Sequence, residues 1–149
     1  MGRGRHRKIK RKKSKISYEY VPPKVEYIHN TEFDLCIKES KIKNGGMGLF
    51  SNVDIPKNTH LGNYIGEVKE NDSFTCGIYA ICLNSDKFID AYNYPRCIFA
   101  MINDSRFSNF IYNCDFIVHE DRVEVWTINN INKGGELYCD YGDKYWEHR

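Results

Sequence analysis

The sequence contains no long apolar stretch. No unbroken apolar run exceeds the six residues 97–102, whereas a membrane-spanning helix requires roughly 20 residues. No apolar segment follows the basic start of the chain, so we expect no secretory signal peptide. Both absences favour an intracellular protein that makes no use of a membrane.

Cysteine-pair motifs are also missing. The six cysteines stand at positions 36, 76, 82, 97, 114 and 139, with no C-x-x-C pair and no paired histidines at metal-ligand spacing. Several of them lie in apolar, strand-like runs such as residues 79–83. We therefore predict reduced, mostly buried thiols and no metal site, with a zinc site as the alternative that this spacing does not favour.

Charge is distributed unevenly along the chain. Nine of the 22 Lys and Arg residues lie within residues 1–15, which contain no acid, so the remaining residues carry a net charge of −7. The basic segment cannot bury apolar surface and is predicted to be disordered. We expect residues 3–15 to contact nucleic acid or to direct nuclear import, in the host nucleus or the virion if the protein is viral. The acidic body should prefer a basic protein partner.

The chain divides into a basic tail with its linker, residues 1–31, and a folded domain, residues 32–149. Pro22 and Pro23 form the stiff point of the linker. From residue 33 onward, short segments rich in β-branched and aromatic residues alternate with turn-forming residues, as is typical of strands. The predicted strands are 33–38, 49–53, 60–68, 77–83, 87–90, 116–119, 122–128 and 136–139.

Helical signals are confined to one segment. Pro95 suits a first helical position, and the apolar residues after it predict a helix that ends at the turn-prone residues 103–105. Residues 120–121 predict a tight hairpin turn between two strands. Because helices do not alternate with strands, a parallel α/β fold is excluded and the domain is predicted to be mostly β.

Two glycine-containing segments could carry chemistry. Residues 44–50 hold three glycines within four positions, which lets the backbone bend and approach a ligand closely. A flexible hairpin loop is the purely structural alternative. In residues 61–68, Tyr64 stands between two glycines, which indicates either a bulge that re-aims the tyrosine or a tyrosine packed in a sheet.

Two further segments carry polar or aromatic side chains. Asn103 and Asn109 could hydrogen-bond a polar ligand, or they could cap turns. Residues 137–146 contain three tyrosines, one tryptophan and two acids. Aromatic rings and carboxylates can form a slot for a cation, whereas the structural alternative is an aromatic cluster that closes the core.

The order of these segments resembles the SET domain of protein lysine methyltransferases. Gly-x-Gly, Tyr-x-Gly-Glu, Asn-x-Ser-x-x-x-Asn, and Gly-x-Glu-Leu followed by Asp-Tyr-Gly occur in family order within residues 35–146. Residues 131–137 and 140–146 look most like compact viral SET proteins and the related PR branch, without the zinc segment that follows many SET domains. The resemblance implies small, mostly antiparallel sheets and a C-terminal pseudoknot.

The resemblance also implies a cofactor site. SET proteins transfer a methyl group from S-adenosylmethionine to a lysine amine of a basic protein, such as a histone tail. The Gly-x-Gly backbone would cradle the cofactor, Asn103 would hydrogen-bond its amino-acid part, and Asp104 would contact it through backbone. The implied cofactor-binding residues are Gly46, Met47, Gly48, Asn103, Asp104 and Trp146.

The same resemblance assigns catalytic and channel residues. Tyr141 would be the central tyrosine beside the sulfonium and the incoming amine, and Tyr64 would line the site. The implied substrate channel consists of Tyr138, Cys139 and Tyr145. Its closure would rest on Tyr145 and Trp146, or on a second copy of the chain in a homodimer.

The sequence departs from the family pattern at four positions. Asp104 replaces the usual His, Ala100 the usual Arg, and Ser108 a Pro that many members carry. Cys139 replaces a Phe or Tyr that helps to set the number of methyl groups added, so the smaller side chain favours higher methylation. These departures leave open a catalytically weak SET-like or PR-like module that binds chromatin or nucleic acid through its basic tail. The basic tail itself leaves open a protein that chiefly binds nucleic acid.

Overall fold

A computed structural model describes residues 19–21, 24–70 and 77–147. The basic segment 3–15, the two linker prolines and Cys76 lie outside the described residues. The first strand, Tyr27–Ile28, pairs with Arg96–Cys97, so part of the segment predicted as linker is joined to the domain. The division of the chain at residue 31 stays a prediction.

Short strands dominate the described part of the chain. One 3-10 helix, Ile98–Met101, and one turn of α-helix, α1 at Asp143–Trp146, accompany them. The strands are β1 Tyr27–Ile28, β2 Leu35–Glu39, β3 Met47–Ser51, β4 His60–Tyr64, β5 Glu67–Glu70, β6 Ala80–Cys82, β7 Lys87–Asp90, β8 Arg96–Cys97, β9 Asn103–Asp104, β10 Cys114–Val118, β11 Val123–Thr127 and β12 Tyr138–Cys139. The prediction of a mostly β, SET-like fold is confirmed.

These strands form small sheets of two or three strands each. The hairpin β2–β3 and the three-stranded sheets β10–β11–β4 and β5–β7–β6 are antiparallel. The pairs β1–β8 and β9–β12 are parallel, so the expectation of mostly antiparallel sheets is confirmed for the described residues, with these two pairs as exceptions. Parallel pairing joins segments that are far apart in sequence. The β9–β12 pair includes Asn103 and Asp104, which line the cavity described below.

The predicted hairpin turn at residues 120–121 is confirmed. His119 N donates a hydrogen bond of 2.8 Å to Arg122 O, and β10 and β11 pair in register on either side of the turn. Along β11 the residues Val123, Val125 and Thr127 are buried while the two between them are half-buried. This is the alternation expected of a strand with one face on the core.

The predicted helix over residues 95–102 is wrong as an α-helix. Arg96–Cys97 form strand β8, and only the four buried residues Ile98–Met101 form a single 3-10 turn. The segment has no polar face, since every residue of that turn is buried. Strand pairing on both sides, with β1 before it and with β12 after it, leaves no length for further helical turns.

The strand predicted over residues 60–68 is two strands in different sheets. β4 ends at Tyr64, and β5 begins at Glu67. The bulge lies at Leu61, where β11 residues Val125 and Trp126 pair with Gly62 and His60, and not at Tyr64. Between the strands, Gly66 lies so close to the Asp90 backbone that a Cβ would collide with it.

The core is built from the apolar faces of these sheets and the 3-10 turn. Leu49, Ile98, Phe99, Val125 and Leu137 have no exposed surface. Each such side chain stabilises the fold by about 1.5–3 kcal/mol relative to an exposed one. The predicted buried thiols are confirmed at positions 97, 114 and 139, whereas Cys36 is half-buried and Cys82 is exposed.

The C-terminal segment is held on two sides, as the pseudoknot prediction requires. Leu137 N donates to Leu49 O at 2.8 Å on one side. On the other side, Asn113 Oδ1 accepts a hydrogen bond from Tyr138 N at 2.7 Å, and β12 pairs with β9. These contacts carry the following residues, 140–146, to the place where the loops after β2 and β9 meet.

Candidate active site

A cavity of about 610 Å³ lies where three segments meet. These are the loop of the β2–β3 hairpin, the segment from the 3-10 turn through residue 107, and the C-terminal residues 141–146. Its volume falls within the range of roughly 300–1,000 Å³ that small-molecule sites occupy. The predicted site residues that line the cavity are Gly46, Met47, Asn103, Asp104, Tyr141, Tyr145 and Trp146.

The glycine loop is a tight turn fixed by its own backbone. Ser40 N donates to Gly46 O at 2.8 Å, and Gly45 N donates to Ile42 O at 2.9 Å. Gly46 has φ +64°, a conformation that side chains disfavour, and open space above its Cα. The loop therefore presents bare backbone to the cavity.

Asn103 joins this loop to β9. Its side-chain amide donates a hydrogen bond of 3.0 Å to Met47 O. This bond links the hairpin loop to the 103–107 segment, and both segments line the cavity.

Gly48 does not line the cavity but lies behind the loop. A Cβ at this position would overlap Oε1 of the buried Glu136. The other carboxylate oxygen of Glu136 accepts hydrogen bonds from Ser40 Oγ at 3.2 Å and Lys41 N at 3.1 Å. Gly48 thus lets the C-terminal segment hold the base of the loop, a positioning contact that the sequence analysis did not foresee.

Tyr141 is fixed at both ends. Its hydroxyl donates a hydrogen bond to Ile102 O, and its backbone N donates to Asp104 Oδ2 at 2.9 Å. Its ring meets that of Tyr145 edge to face, with centroids 4.6 Å apart. Burial, followed by the nearby Cys139 and Tyr145, holds the pKa of Tyr141 well above its usual value, so the phenol keeps its proton.

Tyr64 lies one contact behind the cavity wall. Its hydroxyl donates a hydrogen bond of 2.7 Å to the backbone oxygen of Tyr79, and Tyr79 lines the cavity. The side chain is buried and meets Phe116 edge to face at 5.5 Å. Burial raises the pKa of Tyr64 strongly, so it is a protonated, anchored phenol.

The Asp104 carboxylate accepts four hydrogen bonds from the described residues. Oδ2 accepts hydrogen bonds from Tyr141 N and from Trp146 Nε1, each at 2.9 Å. Oδ1 accepts from Arg106 N at 2.6 Å and from Tyr112 Oη at 3.2 Å. The side chain therefore joins its own loop to the C-terminal segment. The sequence analysis expected a backbone contact only and did not foresee this role.

Two predicted channel residues lie away from the cavity. Tyr138 is buried and stacks on Phe110 with centroids 5.1 Å apart. Cys139 is fully buried, and it pairs with Asp104 between β12 and β9. Burial raises the pKa of the Cys139 thiol well above its usual value. Their predicted roles in a channel stay predictions.

Several residues that line the cavity were not predicted as site residues. Among them are Tyr79, Arg96, Arg106 and Phe107. The Phe107 ring is 85% exposed and meets Trp146 edge to face at 5.5 Å. Arg106 pairs with Asp140 and Asp143 at 3.2 and 2.9 Å, which ties the loop to α1. Phe107 and Arg106 lie inside the Asn-x-Ser-x-x-x-Asn motif, residues 103–109, so this motif could have indicated them as site residues.

Clusters suited to metal binding are absent from residues 24–70 and 77–147. No three His, Cys, Asp or Glu side chains in these ranges converge on a point that could hold an ion. Within the same ranges no helix has the length and apolar character needed to cross a membrane.

Comparison with known proteins identifies the family. The sequence matches the SET domain model over residues 46–142, which is more than half of the chain. It is 30% identical over 135 residues to the histone-lysine N-methyltransferase trr of Drosophila melanogaster, and the match covers 84% of this chain. The chain corresponds to only 5% of the length of that relative. From the family match and the cavity between its motifs, the chain belongs to the SET domain family.

Proposed function

We propose that the domain is an S-adenosylmethionine-dependent protein lysine N-methyltransferase. The observation that carries the proposal is that Gly46, Asn103 and Tyr141, far apart in the sequence, line one cavity. The similarity to a histone-lysine N-methyltransferase supports the reaction class. The family match supports the same class, because three of the four sequence motifs contribute to this cavity.

The residues around the cavity fit the cofactor. The loop at Gly46 offers unobstructed backbone, which can hydrogen-bond the polar amino-acid part beside Asn103. The rings of Phe107 and Trp146 meet edge to face and offer an apolar wall for the adenine. When bound, S-adenosylmethionine supplies a methyl group activated by a positively charged sulfur.

Tyr141 orients the substrate amine. Its hydroxyl proton is committed to Ile102 O, so the lone pairs of the phenolic oxygen are free to accept an N–H of the incoming lysine. The bond from Tyr141 N to Asp104 holds the backbone from which the ring projects. Alignment of this kind contributes up to roughly 7–11 kcal/mol in favourable reactions.

Neither Tyr64 nor Tyr141 acts as a general base near neutral pH. Burial raises the pKa of both Tyr141 and Tyr64, and a protonated phenol cannot remove a proton from an ammonium group. The lysine must therefore lose its proton to water before it attacks the methyl group. Desolvation in the cavity lowers the pKa of that lysine and favours this loss.

The proposed substrate is a basic protein such as a histone tail. Residues outside the basic tail carry a net charge of −7, and charge complementarity speeds encounter with a cationic peptide. A nuclear location and a homodimer accompany this proposal as predictions from the sequence.

The test is transfer of labelled methyl groups from S-adenosylmethionine to a histone mixture, with the product read by mass spectrometry. We expect labelled lysine with the wild type and a rate at least about hundredfold lower with Tyr141→Phe. Tyr20→Phe is the matched control, since Tyr20 is 84% exposed and outside the cavity. Absence of labelling by the wild type, or a full rate with Tyr141→Phe, contradicts the proposal.

A second candidate function is nucleic-acid or chromatin binding through residues 3–15, in a SET-like module without turnover. The nine Lys and Arg residues of the first 15 support it. Such contacts weaken steeply with salt, by a slope set by the number of phosphates neutralised. A tail-deleted protein that binds DNA with an unchanged salt slope contradicts this candidate. The two functions are compatible, because a tethered enzyme meets a higher local concentration of histone lysines.

A further inference from the structure

Three cationic side chains line the cavity, and the buried one, Arg96, forms no ion pair within the described residues. Arg106 is paired with Asp140 and Asp143, and Lys43 is exposed on the hairpin loop. Arg96 is only 6% exposed, yet it forms no ion pair with an Asp or Glu of residues 24–70 and 77–147. The nearby Asp90 is bonded to Lys69 at 2.9 Å instead.

The Arg96 guanidinium is held rigidly. Its Nε donates to the backbone oxygens of Ala91 and Tyr92, each at 3.2 Å, and Nη2 donates to Tyr92 O. The group lies over the rings of Tyr79 and Tyr94, 4.1 and 4.2 Å from their centroids. These contacts leave the Arg96 side chain little freedom to leave the cavity wall.

One end of this guanidinium lacks a strong acceptor among the described residues. Within that part of the chain, Nη1 of Arg96 has only the thioether sulfur of Met101, at 4.0 Å, and a thioether is a weak acceptor. Carbonyl dipoles and ring faces offset part of the cost of burying the charge, but a buried cation is best compensated by an anion. The planar guanidinium matches a carboxylate, which it can bind through two parallel hydrogen bonds.

We propose that Arg96 binds the α-carboxylate of the amino-acid part of S-adenosylmethionine. The inference rests on the proposed function. Arg96 shares the cavity with Gly46 and Asn103, the residues proposed to hold that part of the cofactor. Ala100 and Met101 lie on the same wall and provide no charge. A fixed cation also repels an ammonium group, so this end of the cavity suits the cofactor's carboxylate and not a protonated lysine.

The test compares two ligands on each protein variant, without any peptide present. Calorimetry measures the dissociation constants of S-adenosylhomocysteine and of its decarboxylated analogue, which differ only by the carboxylate. We expect the wild type to bind the first at least about tenfold more tightly, the factor that one charge-assisted contact supplies. Arg96→Met should bring the ratio near one, and Lys43→Met, the matched control on the exposed cation, should leave it unchanged.

The ratio is internal to each variant, so a smaller folded fraction does not alter it. If Arg96→Met does not fold, Arg96→Lys serves, because it keeps the charge but loses the paired donors and should lower the ratio. A wild type that binds both ligands equally overturns the assignment and leaves the proposed function standing. If Lys43→Met brings the ratio of the two dissociation constants near one instead, the residue that binds the carboxylate is Lys43 and the assignment to Arg96 is wrong. A wild type that binds neither ligand contradicts the proposed function itself.

Discussion

The Asp104 carboxylate bonds both Tyr141 and Trp146 through a single oxygen. Oδ2 accepts a hydrogen bond of 2.9 Å from Tyr141 N and another of 2.9 Å from Trp146 Nε1. The Asp104 side chain, which stands where the family resemblance predicts His, therefore fixes Tyr141 and Trp146 together. The departure substitutes a carboxylate that accepts several hydrogen bonds, so it does not by itself argue against activity.

Asp104→Asn should destabilise the protein and slow methyl transfer. An amide has one accepting oxygen in place of two and no charge, so we expect a loss of about 1–3 kcal/mol in the free energy of unfolding. We also expect a rate about tenfold or more below that of the wild type, because Tyr141 loses its anchor.

Denaturant titration and single-turnover labelling measure the two effects of Asp104→Asn. Asp115→Asn is the control, because that carboxylate is exposed on β10. Asp104→Asn with the stability and rate of the wild type refutes the anchoring role.

Gly46→Ala should weaken cofactor binding more than its effect on stability can explain. Gly46 has φ +64° and Gly134 has φ +85°, and both have open space where a Cβ would stand. Alanine at either position therefore costs a similar strain of about 1–2 kcal/mol. Gly46 lines the cavity and Gly134 does not.

The matched pair of glycine variants separates the two effects. Calorimetry with S-adenosylhomocysteine should show weaker binding for Gly46→Ala and unchanged binding for Gly134→Ala, with equal shifts of the melting temperature. Equal affinities in both variants would show that the loop backbone makes no contact with the cofactor.

Alkaline pH should destabilise the fold. Burial raises the pKa of Tyr64 and Tyr141 above the ordinary value of 10.0, so above about pH 10 the unfolded chain has lost protons that the folded chain retains. The free energy of unfolding must then fall as pH rises. Each such tyrosine contributes up to about 1.4 kcal/mol per pH unit.

Urea unfolding from about pH 8 to about pH 11 measures this slope. Tyr64→Phe should make the slope shallower by about one proton, because phenylalanine cannot ionise in either state. Tyr20→Phe should leave it unchanged, since the side chain of Tyr20 is 84% exposed. Identical slopes in all three proteins contradict the burial of an un-ionised phenol at position 64.

Phe107→Ala should weaken cofactor binding with little effect on stability. The ring is 85% exposed and contacts Trp146 at the cavity wall. Its removal therefore costs the fold little buried area, but it removes one of the two rings proposed to contact the adenine. We expect less than about 0.5 kcal/mol in unfolding free energy and a clear rise in the dissociation constant of S-adenosylhomocysteine. Ile111→Ala, 75% exposed and outside the cavity, is the control. Equal binding in both variants removes Phe107 from the site.

Local patterns predicted much of the fold. The alternation along residues 122–128 placed β11 and its buried face, and residues 120–121 placed the hairpin turn. The helix predicted over residues 95–102 was wrong, because an apolar run is compatible with one face of a helix and equally with a fully buried turn. Only the strand pairing on either side, made with residues far away in sequence, limits that segment to one turn.

The sequence by itself determined the family, because the order of the motifs and their residue types can be identified without knowing any contact. Which side chains enter the cavity was decided by tertiary structure. The parallel pair β9–β12 turns Cys139 into the core and leaves Tyr141 at the wall. Arg96 reaches the same wall through backbone carbonyls and ring faces. Sequence spacing does not encode these directions, because the facing of a side chain depends on which distant strand its neighbours pair with.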